Sequence, residues 1–181
     1  ANVVYINARA FYGCTSETTL TFLGTSKCQS IGESAFENNI ALQAINLPAS
    51  LKTIGESVFK NCESVKTLVL STNASFVTIS ESAFEDCSAL EAINIPSNVV
   101  TISKNAFKGN LSAKTLVFVA TSKTKTICES AFENCIVLEE IHIPVSVTSI
   151  EKRAFYNCNM VTVIDLETTT LTIAESAFEN A

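Results

Sequence analysis

The chain has 181 residues, is 47% hydrophobic, and carries a formal net charge of −6. That length fits one domain with a large core. No apolar run approaches the length of a membrane span, and the chain lacks the basic stripe that nucleic-acid binding demands.

In chain order, one phrase recurs: ARAFYGC at 8–14, ESAFENN at 33–39, ESVFKNC at 56–62, ESAFEDC at 81–87, KNAFKGN at 104–110, ESAFENC at 129–135, KRAFYNC at 152–158 and ESAFENA at 175–181. Its phenylalanines are Phe11, Phe36, Phe59, Phe84, Phe107, Phe132, Phe155 and Phe178, in steps of 25, 23, 25, 23, 25, 23 and 23 residues. An isoleucine precedes each Phe by five positions, from Ile6 to Ile173. The S-x-x-E form of Ser34/Glu37, Ser82/Glu85, Ser130/Glu133 and Ser176/Glu179 has the pattern of a capping box. It predicts one short helical turn that carries Phe into a core.

After the phrase comes L-x-x-I-x-I, as in Leu42-Ile45-Leu47, Leu90-Ile93-Ile95 and Leu138-Ile141-Ile143. Glu17 and Ala113 depart from it at the first position. Alternating apolar and polar residues predict one short strand per coil, buried on one face. Strands repeating in one direction stack into a parallel sheet, and no coil buries its apolar face alone. A period of 20–29 residues carrying this motif is the leucine-rich repeat signature. The expected fold is therefore a single solenoid over 1–181, of about seven to eight coils, with short helical turns and loops opposite the sheet.

The fuller pattern, L-x-x-I-x-I-P-x-x-V-x-x-I-x-x-x-A-F-x-x-C, resembles the BspA-like (Treponema-type) leucine-rich repeat family. Leu138, Ile141, Ile143, Pro144, Val147, Ile150, Ala154, Phe155 and Cys158 match it throughout, and Leu90 to Phe107 match it nearly so. Alternate coils lack the proline. The resemblance spans essentially the whole chain. It implies a curved solenoid from bacterial or protozoan surface proteins with roles in adhesion and protein binding. It supplies no catalytic residues. The chain starts at Ala1 without Met, shows no signal peptide, and both ends fall inside the repeat pattern. This fits an excerpt of a longer protein.

Two further regularities follow from the register. Pro48, Pro96 and Pro144 lie 48 apart, each after the strand of a 23-residue coil. The extra residues of the long coils fall at the same point, in 24–30, 71–78 and 119–126, and predict a loop on one rim every second coil. The residue after Phe alternates Glu37, Lys60, Glu85, Lys108, Glu133, and a second row alternates Lys66, Glu91, Lys114, Glu139. Stacking sets opposite charges side by side, at roughly 0.2–1 kcal/mol per exposed pair. The alternative is a set of solvated surface charges.

Seven cysteines raise the question of disulfides. Cys14, Cys62, Cys87, Cys135 and Cys158 share one register position with Asn39 and Asn110, and Cys28 occupies a core slot. That favours cysteine as a small buried hydrophobe. The rival is pairing between adjacent coils, Cys62–Cys87 or Cys135–Cys158, which strand spacing permits. No C-x-x-C pair suggests zinc.

Signals of chemistry are sparse. The one histidine, His142, sits at an outward strand position near Glu139, Glu140 and Asp165, and reads as a surface residue. No phosphate-binding glycine loop is present. The expectation is no catalytic residue, no metal site and no cofactor. N-A-S at 73–75 makes Asn73 a candidate glycosylation site, whereas N-L-S at 110–112 puts Asn110 in a buried row.

The candidate partner surface is the outward strand face: Thr67, Val69, Ala92, Asn94, Thr115, Val117, Glu140 and His142. The expected function is a non-enzymatic adhesion or protein-binding module, extracellular or on the cell surface, whose partners are host or matrix surface proteins. The alternative is a structural spacer or filament component that binds copies of itself through stacked solenoids.

Overall fold

The computed structural model describes residues 3–167 and 170–181. Its strands in chain order are β1 (Tyr5–Ile6), β2 (Ser30–Ile31), β3 (Ala44–Asn46), β4 (Thr53–Ile54), β5 (Thr67–Val69), β6 (Thr78–Ile79) and β7 (Ala92–Ile95). Then follow β8 (Thr101–Ile102), β9 (Thr115–Phe118), β10 (Thr126–Ile127), β11 (Glu140–Ile143), β12 (Ser149–Ile150), β13 (Val163–Leu166) and β14 (Thr172–Ile173). All pairings are parallel, and equivalent residues of successive coils face one another: Ile93 lies opposite Leu116, and Ile141 opposite Ile164. The chain is thus a stack of coils.

From the second coil pair onward each coil carries two strands, where the sequence pattern predicted one. The long series, β3–β5 and β7–β9–β11–β13, is the predicted L-x-x-I-x-I sheet. The short series, β1–β2–β4 and β6–β8–β10–β12–β14, is built from the isoleucine five before Phe and the residue ahead of it. Two-residue strands are too short to leave an alternating pattern. A strand was also expected around Leu20 and Phe22, with Thr19 and Thr21 outward, and none forms there.

The recurring phrase is not a helical turn: the described residues contain no helix. Its serine lies at positive φ, as at Ser34 (51°), Ser82 (52°) and Ser130 (56°). The residue two after Phe does so too, as at Asn38 (63°), Asn61 (58°) and Asn134 (62°). Each left-handed residue reverses the direction of its peptide. Alternate amides therefore point out of the coil instead of closing a helix on itself. Ser82, Phe84 and Asp86 donate to the carbonyls of Lys104, Ala106 and Lys108 in the next coil, at 3.0, 2.9 and 2.8 Å. The amides between them close tight turns within the coil, Ala83 to Ser80 and Glu85 to Ser82, both at 3.2 Å. The same three-bond ladder joins every phrase from the first to the seventh, and two bonds join the last pair. It continues across the coil where both sheets break, between β4 and β6 and between β5 and β7.

The letters of the phrase follow. Asn, Asp and Gly tolerate the left-handed region best among the amino acids, and they alone fill the position two after Phe: Gly13, Asn38, Asn61, Asp86, Gly109, Asn134, Asn157 and Asn180. A β-branched residue in the serine position is strained. Ser82→Val is therefore expected to destabilise the chain by roughly 1–2 kcal/mol, whereas Ser82→Gly leaves it nearly unchanged, as read from denaturant midpoints.

Alanine and Phe of each phrase point inward. Phe59, Phe84, Phe107, Phe132 and Phe155 are fully buried. The row is continuous: successive rings from Phe11 to Phe178 lie 5.0–5.7 Å apart and within 11° of parallel. Isoleucines of both strand series complete the core, and the apolar residues of the terminal coils, including Phe11, Ile164 and Ile173, remain partly exposed.

Candidate functional site

The long strands present one residue in two to solvent. Thr67 and Val69 on β5, Asn94 on β7, Thr115 and Val117 on β9, and Glu140 and His142 on β11 are exposed, and Ala92 is half-buried. The ladders align Ala44 with Thr67 and Asn46 with Val69, then Ala92 with Thr115 and Asn94 with Val117. Glu140 lies beside Thr115 and Val163, and His142 beside Asp165. The structure thus gathers the eight candidate residues on one side as two patches, split where β5 packs beside β7 without a ladder. Most of this face is uncharged, made of hydroxyls, amides and aliphatic groups. Val69 and Val117 are its most exposed apolar groups, at 54% and 45%.

Charge is confined to one end. His142 Nε2 is 3.0 Å from Glu140 Oε2, and its Nδ1 is 3.5 Å from Asp165 Oδ2. Hydrogen bonds to Glu140 and then Asp165 favour the imidazolium and raise its pKa above the ordinary histidine value. Both nitrogens face carboxylates, so His142 is no base poised on a hydroxyl or thiol. Among the described residues, no group of three or more His, Cys, Asp or Glu is arranged to hold a metal ion.

Cys62, Cys87, Cys135 and Cys158 of the row pack inside, as the register implied, while Cys14 in the first coil is only half-buried, and all seven thiols are free. The row is more than small apolar filler. Sγ of Cys62, Cys87, Cys135 and Cys158 lies 3.3, 3.3, 3.5 and 3.4 Å from the Phe carbonyl of the preceding coil. Asn39 and Asn110 donate Nδ2 to the same acceptor at 3.0 Å. This explains why Cys and Asn share the position: both fit the slot and carry a donor. Burial pushes the Cys62 and Cys158 thiols up to about 12, so these are inert, protonated groups at neutral pH.

The alternating charges form pairs in one of the two expected rows. Lys60 meets Glu85 at 2.9 Å, and Lys108 meets Glu133 at 3.2 Å. For Lys66, Glu91, Lys114 and Glu139 the described residues show no ion pair. Arg153, outside the expected rows, extends the pairing at Glu133, whose side chain is 7% exposed. Arg153 grips it with Nε and Nη2, both at 3.0 Å. Burial opposes its ionisation, yet Arg153, Ser130 and Lys108 together outweigh that and hold its carboxyl down to about 2.

Asn73 lies half-buried on the rim loop of a long coil. Its Nδ2 donates to the Ala49 carbonyl at 3.0 Å, and its Oδ1 accepts from the Ser75 amide at 2.9 Å. No helix among the described residues is long and apolar enough to cross a membrane.

A model of the BspA type leucine rich repeat region (6 copies) matches residues 1–114 and 101–181. Among solved structures, the chain is similar to a leucine rich repeat protein of T. pallidum, with 24% identity and a TM-score of 0.75 over 88% of this chain and 72% of that one. It is similar to a leucine rich cell surface protein of Faecalibacterium prausnitzii A2-165, with 23% identity and a TM-score of 0.63 over 90% of this chain and 42% of that one. It is also similar to the pneumococcal vaccine antigen PcpA, with 22% identity and a TM-score of 0.65 over 93% of this chain and 49% of that one. The chain therefore spans less than half the length of the last two. No curated protein matches it.

Proposed function

Because the chain belongs to the BspA type leucine rich repeat family, we propose that it is a non-enzymatic protein-binding module of a cell-surface or secreted protein, acting in adhesion to host or matrix surface proteins. The observation that carries this reading is the strand face: an outward, largely uncharged array presented in register by β7 and β9, with β5 packed beside it. The two neighbours described as a cell surface protein and a vaccine antigen support a surface location. The face lacks the Trp, Tyr and Arg anchors of tight interfaces, so affinity comes from extended or repeated contact.

The test is capture of immobilised extracellular-matrix and cell-surface proteins by the chain. Val69→Arg and Val117→Arg should abolish capture, while Lys52→Glu, just ahead of β4, should not. No capture by the parent, or capture indifferent to Val69 and Val117, contradicts the reading. Asn73 is the proposed glycosylation site.

A second reading, a spacer or filament component, is favoured by the regular two-coil unit of 48 residues marked by Pro48, Pro96 and Pro144. Light scattering over a concentration series separates the two, since a strictly monomeric chain excludes assembly through stacked ends.

A further inference from the structure

Behind the phrases, on the turn side of the solenoid, the asparagines two after Phe form a side-chain ladder. Asn38 donates Nδ2 to Tyr12 at 2.9 Å, and Asn61 to Asn38 Oδ1 at 2.8 Å. Asn157 donates to Asn134 Oδ1, and Asn180 to Asn157 Oδ1, both at 3.0 Å. The two runs do not meet. Between them the fourth and fifth coils carry Asp86 and Gly109.

The break leaves chemistry unmatched. In a continuous ladder Asn61 Oδ1 would accept from the next rung, and Asn134 Nδ2 would donate to the previous one. Here each lacks a hydrogen-bond partner among the described residues. Asp86 accepts no hydrogen bond there either. Its carboxylate leans along the stack: a Cβ on Gly109 would collide with Asp86 Oδ1. Gly109 thus leaves free the space that the Asp86 carboxylate takes. Burial and neighbouring Glu85 raise the Asp86 pKa, against Lys60 and Lys108, as expected of a carboxylate short of donors.

These groups line one shallow hollow of about 440 Å³ together with Glu63 and Ser88, with Leu111 and Ile136 as its apolar part. Both are large apolar side chains in contact with solvent, at 44% and 39%. We propose that the hollow is a saccharide-binding site. Asp86 accepts from two neighbouring hydroxyls of a pyranose, Asn134 Nδ2 donates to a ring or hydroxyl oxygen, Asn61 Oδ1 accepts from a further hydroxyl, and the C–H face of the ring lies on Leu111 and Ile136. A carboxamide would engage one oxygen of Asp86 and leave the other bare. A cationic side chain would pair with Asp86 and Glu63 but leave Asn134 Nδ2 without an acceptor and Leu111 and Ile136 uncovered. A polyol carries several donors and acceptors together with an apolar face, and so matches the whole set.

The test uses the ¹⁵N-labelled chain titrated with glucose, galactose, mannose and N-acetylglucosamine, with N-acetylarginine methylamide as a cationic probe. At least one sugar should shift the amides of Asn61, Asp86, Gly109 and Asn134, saturating in the millimolar range. Asp86→Asn/Gly109→Asn restores an unbroken ladder, since asparagine tolerates the same φ. That variant should melt no lower than the parent and bind the sugar at least tenfold more weakly. The proposal is overturned if no sugar moves these amides, if the repaired ladder binds equally well, or if the arginine probe moves them and the sugars do not.

Discussion

Phe84→Ala is expected to lower stability by about 3–5 kcal/mol, the sum of lost transfer energy and a cavity that the stack cannot collapse around. Phe84 is fully buried, with a parallel ring on each side at 5.7 and 5.3 Å. Phe178 has one such neighbour, at 5.1 Å, and is only partly buried. Phe178→Ala should therefore cost less than half as much. Coupling in a solenoid runs between neighbouring coils, so damage at Phe84 separates the halves and unfolding becomes two-step. Denaturant melts of both variants beside the parent read this out. Equal small losses would mean that the ring row does not carry the core.

Acid should cost the chain roughly 2–3 kcal/mol through Glu133. Its folded pKa, about 2, lies below the ordinary glutamate value of 4.5. A depressed carboxyl stabilises the fold fully above its unfolded value, and that contribution fades as pH falls from about 4.5 toward 2. At about 1.4 kcal/mol per unit the ceiling is near 3.4 kcal/mol. Arg153 and Lys108 are about a third exposed, and solvent screening trims that ceiling. Glu133→Gln should lose this amount at pH 7 and flatten the pH dependence of stability between 4.5 and 2.5. A parent and variant with parallel pH profiles would remove Glu133 from the account.

The steps of 23 and 25 residues were enough to place every Phe, core isoleucine and long strand from β3 onward, because stacking makes equivalent positions coincide in space. The same steps predicted the buried cysteine row. What they hid was backbone conformation. S-A-F-E reads as a capping box because a side-chain pattern does not distinguish a helix start from a serine at positive φ. The clue lay two positions beyond Phe, where Gly, Asn and Asp recur without exception. A helix interior disfavours those residues and a left-handed turn requires them. The two-residue strands were hidden for another reason: their isoleucine recurs in every coil, but two residues are too few to show the alternation of a strand. The outward strand residues were legible from alternation alone. The hollow at Asp86 was not, since it arises from a lapse in the asparagine row that has meaning only once the row is known to be a hydrogen-bonded ladder.

The most direct test of the stacked-turn architecture is amide hydrogen exchange across residues 82–86 of the native chain. The ladder assigns Ser82, Phe84 and Asp86 to the next coil at 2.8–3.0 Å, and Ala83 and Glu85 to longer bonds within their own turn. Protection should alternate, with Ser82, Phe84 and Asp86 the slowest, and Phe36, Phe59, Phe107 and Phe132 should behave like Phe84. Protection rising smoothly along 82–86, as in the first turn of a helix, would contradict the ladder and the stack built on it.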